Sequence, residues 1–170
     1  ILLLDQTVFT IGPSSAIIID EFVYDPKTSD GKMQASITKG IFRYVSGKIA
    51  AKKPNNVTIK LPSATIGIRG TIIAGEAGTN RSFAMLLGPG ENNNAKATIG
   101  SFNIQGIGAH SGDQQQVNRT GFGVQVDQNG GLSGVFKVPD SEMNRLTQGL
   151  VPSQGQAPGQ GPGQDRKSVV

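Results

Sequence analysis

The spacing of turn chemistry constrains this chain more than any other feature. From Thr7 onward, short apolar runs are cut by Gly, Pro, Asn or Asp roughly every 8 to 12 residues, the rhythm of an all-β domain. Thr7–Ile11 alternates and stops at Gly12-Pro13-Ser14-Ser15, and Ala16–Ile19 and Phe22–Tyr24 resume the pattern. Asp25–Gly31 is a loop ending in Asp-Gly, a hairpin signal. Met33–Thr38 and Ile41–Val45 read as strands split by Gly40, and Lys52–Asn56 as a turn into Val57–Leu61. Ala64–Ile68 and Thr71–Ala74 read as a pair bent at Gly70.

Phe83–Leu87 and Ala97–Gln105 continue the strands across a Gly/Pro/Asn-rich separator at 88–94, and the polar stretch Gly108–Asn118 reads as a loop. Phe122–Asp127 and Leu132–Val138 form a last hairpin candidate. A single helix is expected after Pro139, capped by Asp140 or Ser141, with Met143, Leu146 and Leu150 on one face. The expected organisation is a β domain over 1–138, a short helix over 139–150 and a flexible Pro/Gly/Gln-rich tail over 151–170. The fold class is therefore all-β: a compact β-roll or solenoid-like body, or a sandwich of short strands.

Composition removes several chemistries. With no Cys there are no disulfides, zinc–thiolate sites or cysteine nucleophiles. The only histidine, His110, shares its loop with Ser111 and Asp113, and a catalytic triad needs groups gathered in space rather than neighbours on one loop. Asp25–Asp30 lacks the alternate oxygen ligands of a calcium loop because Lys27 interrupts it, so a plain hairpin turn is expected. Asp20 and Glu21 are consecutive on a strand and point to opposite faces. No enzyme activity, metal or cofactor is expected. No apolar run reaches membrane-span length. The opening Ile1–Leu4 has no basic leader and reads as a start inside a domain.

Charge is unevenly spread. The net charge is +4, yet Gly31–Gly75 contains eight basic residues and no acid. Either these decorate outward strand faces and guard edges, or they mark a face for an anionic partner. Arg43, Lys48, Lys52, Lys53, Lys60 and Arg69 are the candidate partner-binding residues. No aromatic interleaving supports nucleic acid as that partner.

Three segments carry a resemblance. Ile11–Ser15 followed by Ile19–Pro26, then Lys39–Lys48, and above all Pro62-Ser63-Ala64-Thr65-Ile66-Gly67-Ile68-Arg69-Gly70-Thr71 resemble the FecR-like domain family over about residues 1 to 75. The resemblance implies a compact body of short strands and an extracytoplasmic setting, periplasmic or at the cell surface. The family's best-known members are periplasmic regulators that relay the state of an outer-membrane transporter to a sigma factor. This sequence shows neither the cytoplasmic helices nor the membrane anchor of those regulators, so the fold and setting carry over but the signalling pathway does not. The implied role is a non-enzymatic binding or sensory module recognising another envelope component, with an envelope protein or an anionic glycan as the candidate partners. The alternatives are a structural or adhesion module of a larger surface protein and a binder of anionic glycans.

Within the last motif, Ile66 and Ile68 share one strand face and Gly67 holds the other, which predicts close approach of a second backbone at Gly67. Arg69, ahead of a turn at Gly70, is expected to bond turn carbonyls, to pair with Asp20 or Glu21, or to meet a partner.

Overall fold

The computed structural model describes residues 1–88 and 100–151. The separator after Gly88, the beginning of the strand expected at 97–105 and the tail beyond Val151 lie outside the described residues. The fold is all-β, with one eleven-stranded sheet that curls until its two halves face each other. That is nearer the sandwich expectation than the solenoid.

The hinge of this arrangement is β3, Asp30–Val45, a single strand of 16 residues rather than the two expected. Its first half pairs with β2 (Ala16–Asp25) on one edge and runs parallel to β4 (Val57–Leu61) on the other. Its second half pairs with β1 (Val8–Ile11) and with β6 (Ile72–Ala77). The change of partners falls at Gly40, whose φ of +94° is a conformation that L side chains avoid. Gly40 thus bends the strand without ending it, and Ser15 fills the space where a β-carbon would stand. Ser15 Oγ also donates to the Ile41 carbonyl at 3.2 Å, fixing the Gly12–Ser15 turn over the bend.

The first half-sheet continues from β4 through β5 (Ala64–Arg69) and β8 (Ser101–Gly106) to β9 (Gln114–Val117). The second continues from β6 through β7 (Arg81–Gly88) and β10 (Phe122–Asp127) to the short β11 (Phe136–Lys137). The expected pairing of Ala64–Ile68 with Thr71–Ala74 is therefore incorrect. At Gly70 the chain leaves the first half-sheet and enters the second, and Ser46 anchors the crossing by exchanging hydrogen bonds with the Thr71 backbone at 2.8 and 2.9 Å. The final hairpin keeps two register pairs between β10 and β11, Phe122 with Lys137 and Gly123 with Phe136, and one isolated bridge, Val126 with Leu132.

The core lies between the halves. Met33, Ala35, Ile37, Val57, Ile59, Ile66, Ile68, Phe102 and Ile104 come from the first, and Phe42, Tyr44, Ile73, Leu86, Val124 and Val126 from the second, all buried. Burial pushes the Tyr44 hydroxyl well above the usual phenol range.

Among the described residues three further helical features, one of them a 3-10 turn over Pro54–Asn56, correct the expectation of one helix. Lys48–Lys52 forms a one-turn helix, α1, on the crossover from β3 to the parallel β4, with Ile49 and Ala50 in the core. Its own residues supply no cap, and buried Asp5 does so from the N-terminal hairpin: Oδ2 accepts from Ile49 N at 3.3 Å while Oδ1 accepts from Thr7 N at 3.0 Å. In the stretch expected to be a loop, Gly108–His110 forms a 3-10 turn and Gln114–Val117 is strand β9. The C-terminal helix α2 spans Asp140–Leu150 with Pro139 at its N-cap, so Asp140 begins the first turn instead of capping it.

Candidate binding surface

The two half-sheets treat their outer faces differently. On the second, Ile41, Ala74, Phe83, Met85, Leu87 and Phe136 face outward, and α2 covers them with Met143 and the fully buried Leu146. Arg145 locks the helix down by bonding Glu76 of β6 and Glu142 of its own first turn. Those contacts hold the Glu142 carboxyl below its usual range.

On the first half-sheet none of the described residues plays the part of α2. Cross-strand register sets two polar rows on its outer face. One runs Glu21, Gln34, Thr58, Gly67, Asn103, Gln116, and the other Ile18, Ser36, Lys60, Thr65, Gln105, Gln114. Strands β4, β5, β8 and β9 carry two cations, Lys60 and Arg69, and no acid. A shallow groove of about 260 Å³ crosses them, lined among others by Thr58, Gly67, Arg69, Asn103 and Gln116.

Gly67 corrects an expectation in an instructive way. A β-carbon built there meets nothing within 4 Å, so among the described residues no second backbone approaches it. Close approach occurs instead on the other half-sheet at Gly75, where a β-carbon would collide with the Phe83 carbonyl and the Phe42 ring.

The six candidate cations do not share one patch. Lys52 and Lys53, expected in a turn, stand at and just beyond the end of α1 and pair with Asp30 at 3.2 and 2.9 Å. The two ammonium groups hold the Asp30 carboxyl below its usual range. Lys48 is exposed at the start of the same helix. Arg43 lies on the covered half-sheet, at the edge of an apolar cavity of about 380 Å³ lined by Met85, Leu87, Met143, Leu146 and Leu150. Only Lys60 and Arg69 reach the open face. Neither pairs with a carboxylate among the described residues, and the expected partners of Arg69 are occupied elsewhere: Asp20 accepts from Ser36 Oγ at 2.6 Å and Glu21 pairs with Lys32 at 3.0 Å.

The acidic loop is the plain hairpin turn expected, with Lys27 N donating to Asp25 Oδ1 at 2.9 Å. His110 Nδ1 and Asp113 Oδ2 stand 2.7 Å apart on an exposed loop. Among the described residues no group of three or more potential metal ligands occurs, and no helix is long and apolar enough to cross a membrane.

The open half-sheet also offers an edge. Among the described residues β2 pairs only with β3, whereas the outer edge of β1 is closed by the N-terminal residues, through Phe9 N to Ile1 O at 2.8 Å and Leu3 N to Thr7 O at 2.9 Å. Ile18 and Val23 of β2 are 55% and 59% exposed, so the unpaired edge is partly apolar. A register irregularity around Asp20 divides it into two segments.

No protein-family profile and no curated protein matches the chain. Solved structures share its fold. A crystal structure at 1.65 Å resolution of a "putative anti-sigma factor" from Parabacteroides distasonis ATCC 8503 superposes with a TM-score of 0.60 at 11% identity. A second, at 2.50 Å resolution, gives 0.56 at 10% identity. Each match covers 88% of this chain and 59% of the other, so this chain spans a little over half the length of those proteins.

Proposed function

We propose that this chain is a non-enzymatic binding or sensory module acting outside the cytoplasm, and that it recognises an envelope protein by accepting an extended segment of it alongside β2. The free outer edge of β2 carries this reading: unpaired backbone groups on an edge template another strand, and adjacent side chains give selectivity. Exposed Ile18 and Val23 supply apolar contact on the outward face, where a partner strand's alternate residues fall beside them. The shared fold with structures described as anti-sigma factors supports a regulatory setting, and the resemblance to the FecR-like family supports the extracytoplasmic one.

The test is capture from a bacterial envelope extract by the full chain and by an Ile18→Lys/Val23→Lys variant, washed at low and then high salt. Both positions are exposed, so the variant keeps its core. A single protein held by the wild type through high salt and released by the variant supports the reading. Equal retention by both moves the contact away from β2. Retention of nothing by either favours a structural or adhesion module.

A further inference from the structure

A second site lies on the same half-sheet, away from the β2 edge. Thr58, Gly67, Asn103 and Gln116 stand side by side on four consecutive strands, β4, β5, β8 and β9. The row is hydroxyl, gap, amide, amide. Such groups both donate and accept, as sugar hydroxyls do. The gap is real space among the described residues, because Gly67 lacks a side chain and none of them comes within 4 Å of where its β-carbon would stand.

Cations flank the row on both sides. Lys60 belongs to the register row one step along the strands in one direction, with Thr65 and Gln105. Arg69 belongs to the row one step the other way, opposite Ser101. The two rows are four residues apart on β5, roughly 13 Å along the strand direction.

Three comparisons narrow the ligand. A groove of about 260 Å³ lies below the roughly 300–1,000 Å³ typical of drug-sized ligands and suits small polar units laid across a face. Peptide recognition leans on apolar or aromatic anchors, and the outward residues of these four strands are Thr, Lys, Gly, Arg, Asn and Gln. Single-stranded nucleic acid requires aromatic platforms, and Phe102, the aromatic residue of these strands, is 1% exposed. A chain of carboxylate-bearing sugars matches both the hydroxyl-and-amide row and the separated cations.

We propose that this groove binds an acidic saccharide, a uronate-containing oligosaccharide with one carboxylate on Arg69 in the groove, hydroxyls on Thr58, Asn103 and Gln116 across the gap left by Gly67, and a second carboxylate reaching Lys60 on the adjoining row outside the groove. Charge-assisted hydrogen bonds to the guanidinium anchor it, and the amides select hydroxylated rings over a bare anion. The site is separate from the β2 edge, so saccharide binding and partner capture fail independently.

The experiment is titration of the full chain with oligogalacturonate and with oligomannuronate, followed by calorimetry and backbone amide shifts. A neutral galactose oligomer and inorganic sulfate serve as controls. Gly67→Val is the decisive variant: the added side chain has open space and a backbone without positive φ, so the protein folds while the gap is filled. The expected result is binding of at least one uronate, no binding of the neutral oligomer, about tenfold weaker binding by Arg69→Gln, and none by Gly67→Val. Added salt weakens the interaction. The proposal is overturned if neither uronate binds, if Gly67→Val and Arg69→Gln bind as the wild type does, or if sulfate shifts the same amides equally at equal concentration. It is also overturned if this face holds an envelope protein and ignores both uronates.

Discussion

The two half-sheets share one strand, β3, and one core, yet they spend their outer faces in opposite ways. On the covered half, the register row Arg43, Ala74, Met85, Gly123 lies toward α2, with two small residues among its members. On the open half, the row Thr58, Gly67, Asn103, Gln116 carries no apolar side chain and no α-helix of the described residues covers it. Each half has a strand glycine, with inverse meanings. Gly75, whose register row faces the core, is a glycine because the Phe83 backbone and the Phe42 ring leave no room, whereas a β-carbon at outward-facing Gly67 meets none of the described residues within 4 Å. Where packing dictates a residue, its replacement reports on stability. Where packing is silent, the residue is free to serve recognition.

That contrast can be broken at several points. The largest effect is expected for Leu146→Ala, which empties the contact between α2 and the covered half-sheet; a loss of about 2–4 kcal/mol in chemical denaturation is expected. A loss under about 1 kcal/mol would mean that α2 rests on the sheet without stabilising it. Arg145→Gln tests the polar half of the same attachment. Its guanidinium is part-exposed, so a cost of about 0.5–1 kcal/mol is expected, read as a small fall in melting temperature.

Acid probes the same clasp. The Glu142 carboxyl is depressed below its ordinary 4.5 in the folded state, so its contribution is present above that value and lost as pH falls through the lower folded one. The melting-temperature gap between wild type and Glu142→Gln should hold at neutral pH and close below about pH 4.5. A gap that persists in acid would assign the effect to packing. The smallest effect is expected on the open face, where Asn103→Ala should change stability by no more than about 0.5 kcal/mol.

How much of this was legible in the sequence differs between residues for physical reasons. The alternation Val57-Thr58-Ile59-Lys60-Leu61 matches burial residue by residue, and so do Ile66 and Ile68, because a strand with one buried face writes period two into its sequence. The 114–117 strand was hidden: it reads Gln-Gln-Gln-Val and buries only Val117, so no apolar alternation marks it. Helix α1 was hidden because five residues hold barely one turn, and its capping carboxylate, Asp5, comes from the N-terminal hairpin. Gly40 looked like the end of a strand because a local reading cannot separate a bend from a break; only pairing on both sides of it shows continuity.

The binding surface was the least legible part. A run of basic residues without acids suggested one positive face, but the β3–α1–β4 crossover returns Lys52 and Lys53 to Asp30, and β2 supplies Glu21 to Lys32. Arg43 falls on the opposite half-sheet from Lys60 and Arg69, a division set at the Gly40 bend and the Gly70 crossing. Close packing at Gly67 was expected from the usual meaning of a strand glycine, and the structure reverses it because no layer of the described residues covers that face.

The most direct test of the asymmetry is one substitution made twice, Gly67→Val and Gly75→Val, compared by equilibrium denaturation of the full chain. The account predicts a loss of about 3 kcal/mol for Gly75→Val, where the side chain collides with backbone and ring, and a change within about 0.5 kcal/mol for Gly67→Val. Equal losses at the two positions would contradict it, because they would mean that Gly67 is as crowded as a core-facing glycine and that the open half-sheet holds no free face for recognition.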